Sequence, residues 1–360
     1  MKNKTVDRAL LSITIFLLLI GIALVYSASH GIKSGLSNLA NKQILWVAIS
    51  IPFFIFFSTL DYRNLRKASY PLYFFSLLTL LLVLLIGRAR AGSSRWLTVG
   101  NFFLQPSEFS KLIFILVAAR YFTDIKEKIA RLPFLIFYLV IAAIPLLLIL
   151  KQPNLGTALV LFSISLGMLW VAGIKKSHLT FLVILGILSS PILWLSLKDY
   201  QKTRFLVLFN PNADPLGSGY NILQSKIAIG SGGLIGKGFL HGTQTRLAFL
   251  PEYHTDFIFC VLAEEWGFIG AGILLFLYYL LLKNIIRIGS STAEPFARLV
   301  TAGITVMFAS HIFINLGMTL GTLPVVGIPL PFLSYGGSSL LAFLISIAIL
   351  LNIKKNKTIF

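Results

Sequence analysis

Residues 9–28 read Ala-Leu-Leu-Ser-Ile-Thr-Ile-Phe-Leu-Leu-Leu-Ile-Gly-Ile-Ala-Leu-Val-Tyr-Ser-Ala, without a single charged side chain. A helix of that length covers the roughly 30 Å hydrocarbon core of a bilayer. The flanking Lys2, Lys4 and Arg8, with Ser27-Ala28-Ser29 behind, imitate a secretory signal and its cleavage site. The apolar stretch is longer than the roughly 7–15 residues of such signals, so it reads as a retained first helix. Comparable runs recur at 43–60, 70–87, 107–123, 133–150, 155–173, 178–197, 257–282, 297–320 and 333–352. The run at 155–173 is short and interrupted by Gly156, Gly167 and Gly173. The expected fold class is an all-α integral membrane protein of about ten transmembrane helices, with residues 1–360 as one polytopic domain.

Composition agrees. Of 360 residues, 57% are hydrophobic and 12% charged, where a soluble protein carries about 25% charged residues. Mean hydropathy is +0.87. The net charge of +19 would suggest nucleic acid on a soluble chain. Here it is explained by Lys and Arg at helix ends, and nucleic-acid binding is excluded on that ground. Cys260 is the only cysteine, so no internal disulfide forms, and no Cys/His cluster has zinc spacing.

The basic residues orient the chain. With the N-terminus in the cytoplasm, eighteen fall on cytoplasmic segments: Lys2, Lys4, Arg8, Arg63, Arg66, Lys67, Arg120, Lys126, Lys128, Arg131, Lys175, Lys176, Lys283, Arg287, Arg298, Lys354, Lys355 and Lys357. Seven fall on short outer segments: Lys33, Lys42, Arg88, Arg90, Arg95, Lys111 and Lys151. That bias places both termini in the cytoplasm. It also leaves 198–256, the longest non-spanning stretch, as a large extracytoplasmic segment between helices seven and eight. Stretches of that length are usually functional. The Arg-, Gly- and Ser-rich segment 88–106 lies on the same side. No inverted repeat is evident, which counts against a common class of transporter.

Acidic residues number twelve, and Glu252, Asp256, Glu264 and Glu265 crowd into fourteen positions. Glu252 and Asp256 share a helix face if the helix begins early enough. Asp256 stands at the outer mouth of the eighth span. It reads either as a helix-capping acid or as a general base or metal ligand at the membrane surface. Glu264 and Glu265 lie roughly 12 Å deeper. An ionised side chain there costs about 2.5–3.5 kcal/mol, so a structural contact between helices is the favoured reading. Glu108 and Lys111, spaced i, i+3 at the start of the fourth span behind Pro106, read as an internal ion pair or as the lining of a substrate cavity.

Residues 230–238, Gly-Ser-Gly-Gly-Leu-Ile-Gly-Lys-Gly, lack the spacing of a phosphate loop, so no nucleotide cofactor is expected. The segment reads either as a turn-rich connection or, with Lys226, Lys237 and Arg246 nearby, as backbone that could approach a diphosphate. Among the five histidines, His254 neighbours Asp256, and His311 reads as a satisfied interior residue.

Five motifs then occur in a fixed order. They are Gly92-Ser93-Ser94-Arg95-Trp96-Leu97; Gln105-Pro106-Ser107-Glu108 with Lys111; and Gln152-Pro153-Asn154-Leu155-Gly156-Thr157. The fourth runs from Leu250-Pro251-Glu252-Tyr253-His254-Thr255-Asp256 into Phe257-Ile258-Phe259. The fifth is Gly327-Ile328-Pro329-Leu330-Pro331-Phe332-Leu333-Ser334-Tyr335-Gly336-Gly337-Ser338-Ser339. With these the chain resembles the SEDS family (shape, elongation, division and sporulation proteins) over nearly its whole length. Gly242-Thr243-Gln244 looks more like the family's elongation branch. Asn154 departs from the family's frequent Asp.

The resemblance implies a peptidoglycan glycosyltransferase of the plasma membrane that polymerises lipid II outside the bilayer. It implies an undecaprenyl diphosphate-linked glycan as donor, a class B penicillin-binding transpeptidase as partner, and neighbours in an elongation complex. It places the catalytic Asp at Asp256 and a helix-end ion pair at Glu108 and Lys111. A sugar hydroxyl needs a carboxylate to take its proton. A diphosphate leaving group needs cations, from side chains or from a divalent ion such as Mg or Mn. Arg95, Lys111, Arg204, Lys226 and Arg246 are the candidate cations, Arg95 and Lys111 foremost, with Glu252, His254 and Ser334 around them. The competing readings are a flippase for lipid-linked precursor, which predicts an ionisable path through the membrane, and a scaffold that only recruits the transpeptidase.

Overall fold

In the computed structural model, residues 8–30, 38–90, 93–99, 102–126, 128, 131–196, 198–215, 217–247 and 249–356 are described. The expectations placed on Lys2, Lys4, Lys33, Gly92 and Lys357 lie outside these residues. Helices occupy all ten predicted stretches. They are α1 (Arg8–Ser29), α2 (Leu39–Thr59), α3 (Tyr62–Ile86), α4 (Pro106–Ile125), α5 (Leu132–Lys151), α6 (Leu155–Val171) and α7 (Lys176–Ser196), then α11 (Ile258–Ser290), α12 (Pro295–Thr319) and α13 (Gly337–Asn356). Seven of them (α1, α2, α3, α5, α11, α12 and α13) are long and apolar enough to cross a membrane. The apolar stretches of α6 and α7 are shorter, and α4 carries Glu108, Lys111, Arg120 and Asp124.

The helix ends follow local chemistry. Asp61 caps α3 by accepting a hydrogen bond from the Arg63 backbone N–H at 2.9 Å, so α3 starts eight residues before the apolar run. Pro106 and Pro295 occupy first-turn positions of α4 and α12, where the missing N–H is no loss. Asn154 caps α6, accepting from the Thr157 N–H at 3.3 Å. Asn and Asp serve equally there, so the Asn154 departure needs no missing carboxylate to explain it. One apolar cluster runs through the bundle from Leu10 to Ile353, with Phe114, Tyr138, Phe308 and Phe343 among its buried rings.

One feature corrects the all-α expectation. Segment 88–106 builds a small antiparallel sheet, β1 (Arg88–Arg90), β2 (Ser93–Val99) and β3 (Phe102–Leu104), in the order β1-β2-β3. The 198–256 segment holds three helices, α8 (Asp199–Leu206), α9 (Ser218–Ser231) and α10 (Thr243–Arg246), joined by turns and loops.

Helix α11 is broken at Gly267, where φ is +64°. The glycine-rich strap 232–238 closes the break. The N–H groups of Lys237 and Gly238 donate to the carbonyls of Glu264 and Glu265 at 3.0 and 2.9 Å. Phe268 and Ile269 donate to the carbonyls of Gly233 and Leu234 at 2.9 and 3.1 Å. Backbone groups freed in an apolar setting need such partners. The glycine-rich segment is therefore a structural closure of a helix, the turn-rich connection of the two readings.

The deep carboxylates also have structural partners. Glu264 accepts from Lys237 Nζ at 2.7 Å and from the backbone N–H groups of Thr243 and Gln244 at 2.7 and 3.0 Å. Ser27 of α1 donates to Glu265. A Cβ at position 267 would lie 2.4 Å from the Gly236 nitrogen. Gly267→Ala is expected to lower the thermal midpoint of the detergent-solubilised protein. The cost is at least about 1–2 kcal/mol from the left-handed backbone alone, while Gly272→Ala, with open space around its Cβ, leaves the midpoint unchanged.

Candidate active site

The site forms around the turn that precedes α11. The backbone N–H groups of Thr255, Asp256 and Phe257 all point at the Glu252 carbonyl, at 3.1, 3.0 and 3.3 Å. Glu252 itself has φ +49°. The helix begins only at Ile258, with Phe257 as its cap residue. Asp256 is thus not a helix cap, and Glu252 and Asp256 do not share a helix face. A tight turn brings them together instead.

The turn is braced by the segment 327–336, which threads between the helices before α13. Asn315 Nδ2, on α12, donates to the Asp256 carbonyl at 2.9 Å and to the Ile328 carbonyl at 2.7 Å. Ser334 Oγ donates to the Thr255 carbonyl at 2.5 Å and accepts from the Leu330 N–H at 2.8 Å. The Tyr335 N–H donates to the His254 carbonyl at 2.9 Å. Gly327, φ +68°, passes so close that a Cβ there would stand 3.0 Å from Asp256 Oδ2. The carboxylate therefore lies against bare backbone.

A second tie holds the same segment from below. Lys111 Nζ contacts Glu108 Oε2 at 3.0 Å and His311 Nε2 at 2.7 Å, and His311 Nδ1 meets the Pro329 carbonyl at 3.0 Å. Glu108 and Lys111 are 3% and 1% exposed. Lys111, first ranked with Arg95 for a diphosphate, is committed to Glu108 and His311. It positions the 327–331 backbone.

Electrostatics single out Asp256. Its carboxyl is pushed up from 3.8 to about 7, first by desolvation and then by the nearby Glu252 carboxylate. Arg204 and Arg95 oppose that rise, as does a hydrogen bond from Thr255. Arg95, on β2, donates to the carbonyls of Gln152 (3.4 Å) and Pro153, which fastens the sheet to the turn between α5 and α6. Burial pulls its guanidinium below the ordinary value, and Arg204 adds to that. Arg204 lies over the Tyr200 ring at 5.8 Å. His254 Nε2 stands 3.9 Å from Glu252 Oε2.

Asp256, Glu252, His254, Ser334, Arg95 and Arg204 thus come together. No described contact joins Lys226 or Arg246 to this group: Lys226 is exposed on α9 beside Gly321, and Arg246 is exposed on α10. Among the described residues no three His, Cys, Asp or Glu side chains form a metal cage. Sequence reasoning missed Asn315 and the role of His311. Their i, i+4 spacing on an otherwise apolar helix was the available signal.

A bundle of long apolar helices, with a braced carboxylate under the electrostatic influence of two guanidinium groups, is that of a polytopic membrane protein. The family FTSW_RODA_SPOVE, described as cell cycle protein, matches residues 8–359, and the chain belongs to it. The chain is 38% identical over 353 residues to the peptidoglycan glycosyltransferase MrdB of Escherichia coli strain K12, covering 98% of this chain and 94% of that protein. It is 39% identical over 362 residues to the stage V sporulation protein E of Bacillus subtilis strain 168, covering 98% of both. Among solved structures, a chain of a peptidoglycan synthase complex that coordinates polymerization and crosslinking aligns with TM-score 0.86 and 32% identity. The rod shape determining protein RodA of Thermus thermophilus aligns with TM-score 0.74 and 29% identity. Each covers 98% of this chain and is itself covered to 98%. The fold is RodA-like, and the protein is a multi-pass protein of the bacterial inner membrane.

Proposed function

We propose that this protein is a peptidoglycan glycosyltransferase that polymerises lipid II into glycan strands at the outer face of the plasma membrane during cell elongation. The observation that carries the reading is the Asp256 carboxyl, braced against the Gly327 backbone, raised to about 7 and under the electrostatic influence of Arg204 and Arg95. A base works best when its pKa lies near the working pH.

In this reading Asp256 takes the proton from the acceptor sugar hydroxyl. The hydroxyl oxygen bonds to the donor's anomeric carbon while the bond from that carbon to the diphosphate oxygen breaks. Undecaprenyl diphosphate leaves with the electron pair, and Arg95 and Arg204 face its developing charge. A divalent cation, Mg or Mn, would be held by Asp256 and Glu252, with the diphosphate and water supplying its other ligands. It would add charge neutralisation at the leaving group.

The chain crosses the membrane ten times with both termini in the cytoplasm, which puts Asp256, Glu252 and the 198–256 segment outside. Elongation is supported by Gly242-Thr243-Gln244. A class B transpeptidase partner, within an elongation complex, is supported by the synthase complex among the structural relatives.

The test is lipid II polymerisation by the purified chain, with and without its transpeptidase partner, the partner's active serine blocked. Glycan strands from wild type support the reading. No strands even with partner and divalent cation would move the assignment to a flippase, checked by lipid II translocation in liposomes. The pH profile is a second check. A carboxyl with pKa about 7 is protonated and inactive as a base below that value, so the rate should rise about tenfold from about pH 6 to about pH 8 and then level off. Glu252→Gln removes a like charge and should move the midpoint to lower pH.

A further inference from the structure

Toward the C-terminal end of α4, roughly 20 Å along the helix from Lys111 to Asp124, is a cavity of about 280 Å³. Arg63, Arg66 and Lys67 of α3, Arg120 and Asp124 of α4, and Glu294 before α12 line it. Four cations and two carboxylates line it, with the Asp61 carboxylate 4.0 Å from Arg63 at its edge, and the carboxylates are already shared. Asp124 pairs with Arg66 at 2.8 Å and with Arg120 at 3.6 Å, and Glu294 lies 3.9 Å from Arg63. Lys67 has no carboxylate partner among the described residues. Two of the three guanidinium groups are held in place: Arg120 donates to the Arg66 and Lys67 carbonyls at 3.0 Å and stacks 4.1 Å over Tyr70, and Arg66 lies 6.0 Å over Phe296.

Pre-ordered guanidinium groups with surplus positive charge recognise phosphate. A scattered cytoplasmic excess of Lys and Arg does not require such a cavity. The rim indicates what kind of phosphate. Lys67, Tyr70, Phe74, Leu78 and Leu81 follow one another at spacings of three or four along α3, so they share a face. Tyr70, Phe74, Leu78 and Leu81 are all exposed, Phe74 at 65%. The charged cavity therefore opens directly onto an apolar stripe about three to four turns long.

We propose that this cleft is a binding site for an anionic phospholipid, its phosphate among Arg63, Arg66, Lys67 and Arg120 and its acyl chain along the Tyr70–Leu81 face of α3. The site is separate from the Asp256 site.

The probes are phosphatidylglycerol, phosphatidylethanolamine and inorganic phosphate, added to the full-length protein in a neutral detergent. The readouts are the thermal midpoint and native mass spectrometry. Phosphatidylglycerol should raise the wild-type midpoint by a few degrees, the mass-action stabilisation of a bound ligand. It should also survive as a one-to-one adduct. Phosphatidylethanolamine and inorganic phosphate should do neither. Arg63→Gln with Lys67→Gln should lose the shift and the adduct, and Lys67→Arg should keep both. Arg66 and Arg120 are left intact because they hold Asp124. An equal shift in the double variant, or none in wild type, overturns the proposal. A shift reproduced by inorganic phosphate overturns the lipid assignment. Should the double variant fold poorly, loss of the adduct in singly substituted Lys67→Gln decides the question.

Discussion

Asp256→Asn is expected to lower lipid II polymerisation roughly 10²- to 10⁴-fold, the span that a positioned general base supplies, with the thermal midpoint unchanged or raised. The two halves of this expectation have one physical source. The carboxyl is raised to about 7 because burial and Glu252 disfavour its charge. A neutral amide of the same shape relieves that burden. The backbone contacts of residue 256, its N–H to Glu252 and its carbonyl from Asn315, do not depend on the side chain. A folded, inert protein is the predicted product. Strand formation equal to wild type would remove Asp256 from the mechanism. Loss of strands together with a fall in the midpoint would point to a structural role instead.

The site was partly legible in the sequence, and physical reasons separate what could be read from what could not. Twenty uncharged, mostly apolar residues at 9–28 have one interpretation in water, so the bundle followed from periodicity and length. The start of α3 was misplaced because Arg63, Asn64, Arg66 and Lys67 lie on helical turns that leave the apolar region. The sheet in 88–106 was invisible because two of its strands are three residues long and too short to show alternation. Asp256 stood out because acidic residues are scarce and four of them crowd together. The function of 232–238 did not, because a strap that mends a helix break is defined by hydrogen bonds to Glu264 and Glu265, nearly thirty positions on. Lys111 was read with Glu108 as an internal ion pair or as the lining of a substrate cavity, and the structure shows the ion pair that a spacing of three suggests. Its contact with His311 joins residues 200 positions apart, and no local pattern encodes that distance.

That contact carries the second large expectation. Lys111→Met should lower the thermal midpoint substantially, by the equivalent of about 3–5 kcal/mol, because it strands the buried Glu108 carboxylate. Glu108→Gln in the same chain should restore most of the loss, since removing both charges leaves none uncompensated. Polymerisation should follow a different course in the double variant. The Lys111 contact to His311 Nε2 is gone, so His311 is held less firmly against the Pro329 carbonyl, and with it the backbone that passes Asp256 Oδ2 at Gly327. Stability should return while activity stays depressed, and the midpoint of the pH profile should broaden or move as the surroundings of Asp256 loosen. Full recovery of both would show that the pair serves stability alone. A Lys111→Met protein as stable as wild type yet inactive, with raised KM for lipid II, would instead place the ammonium on the substrate diphosphate. The arrangement of Glu108, Lys111 and His311 argues against that outcome, because a lysine 1% exposed and bonded to both Glu108 and His311 is enclosed by protein and would have to leave those partners to reach a ligand.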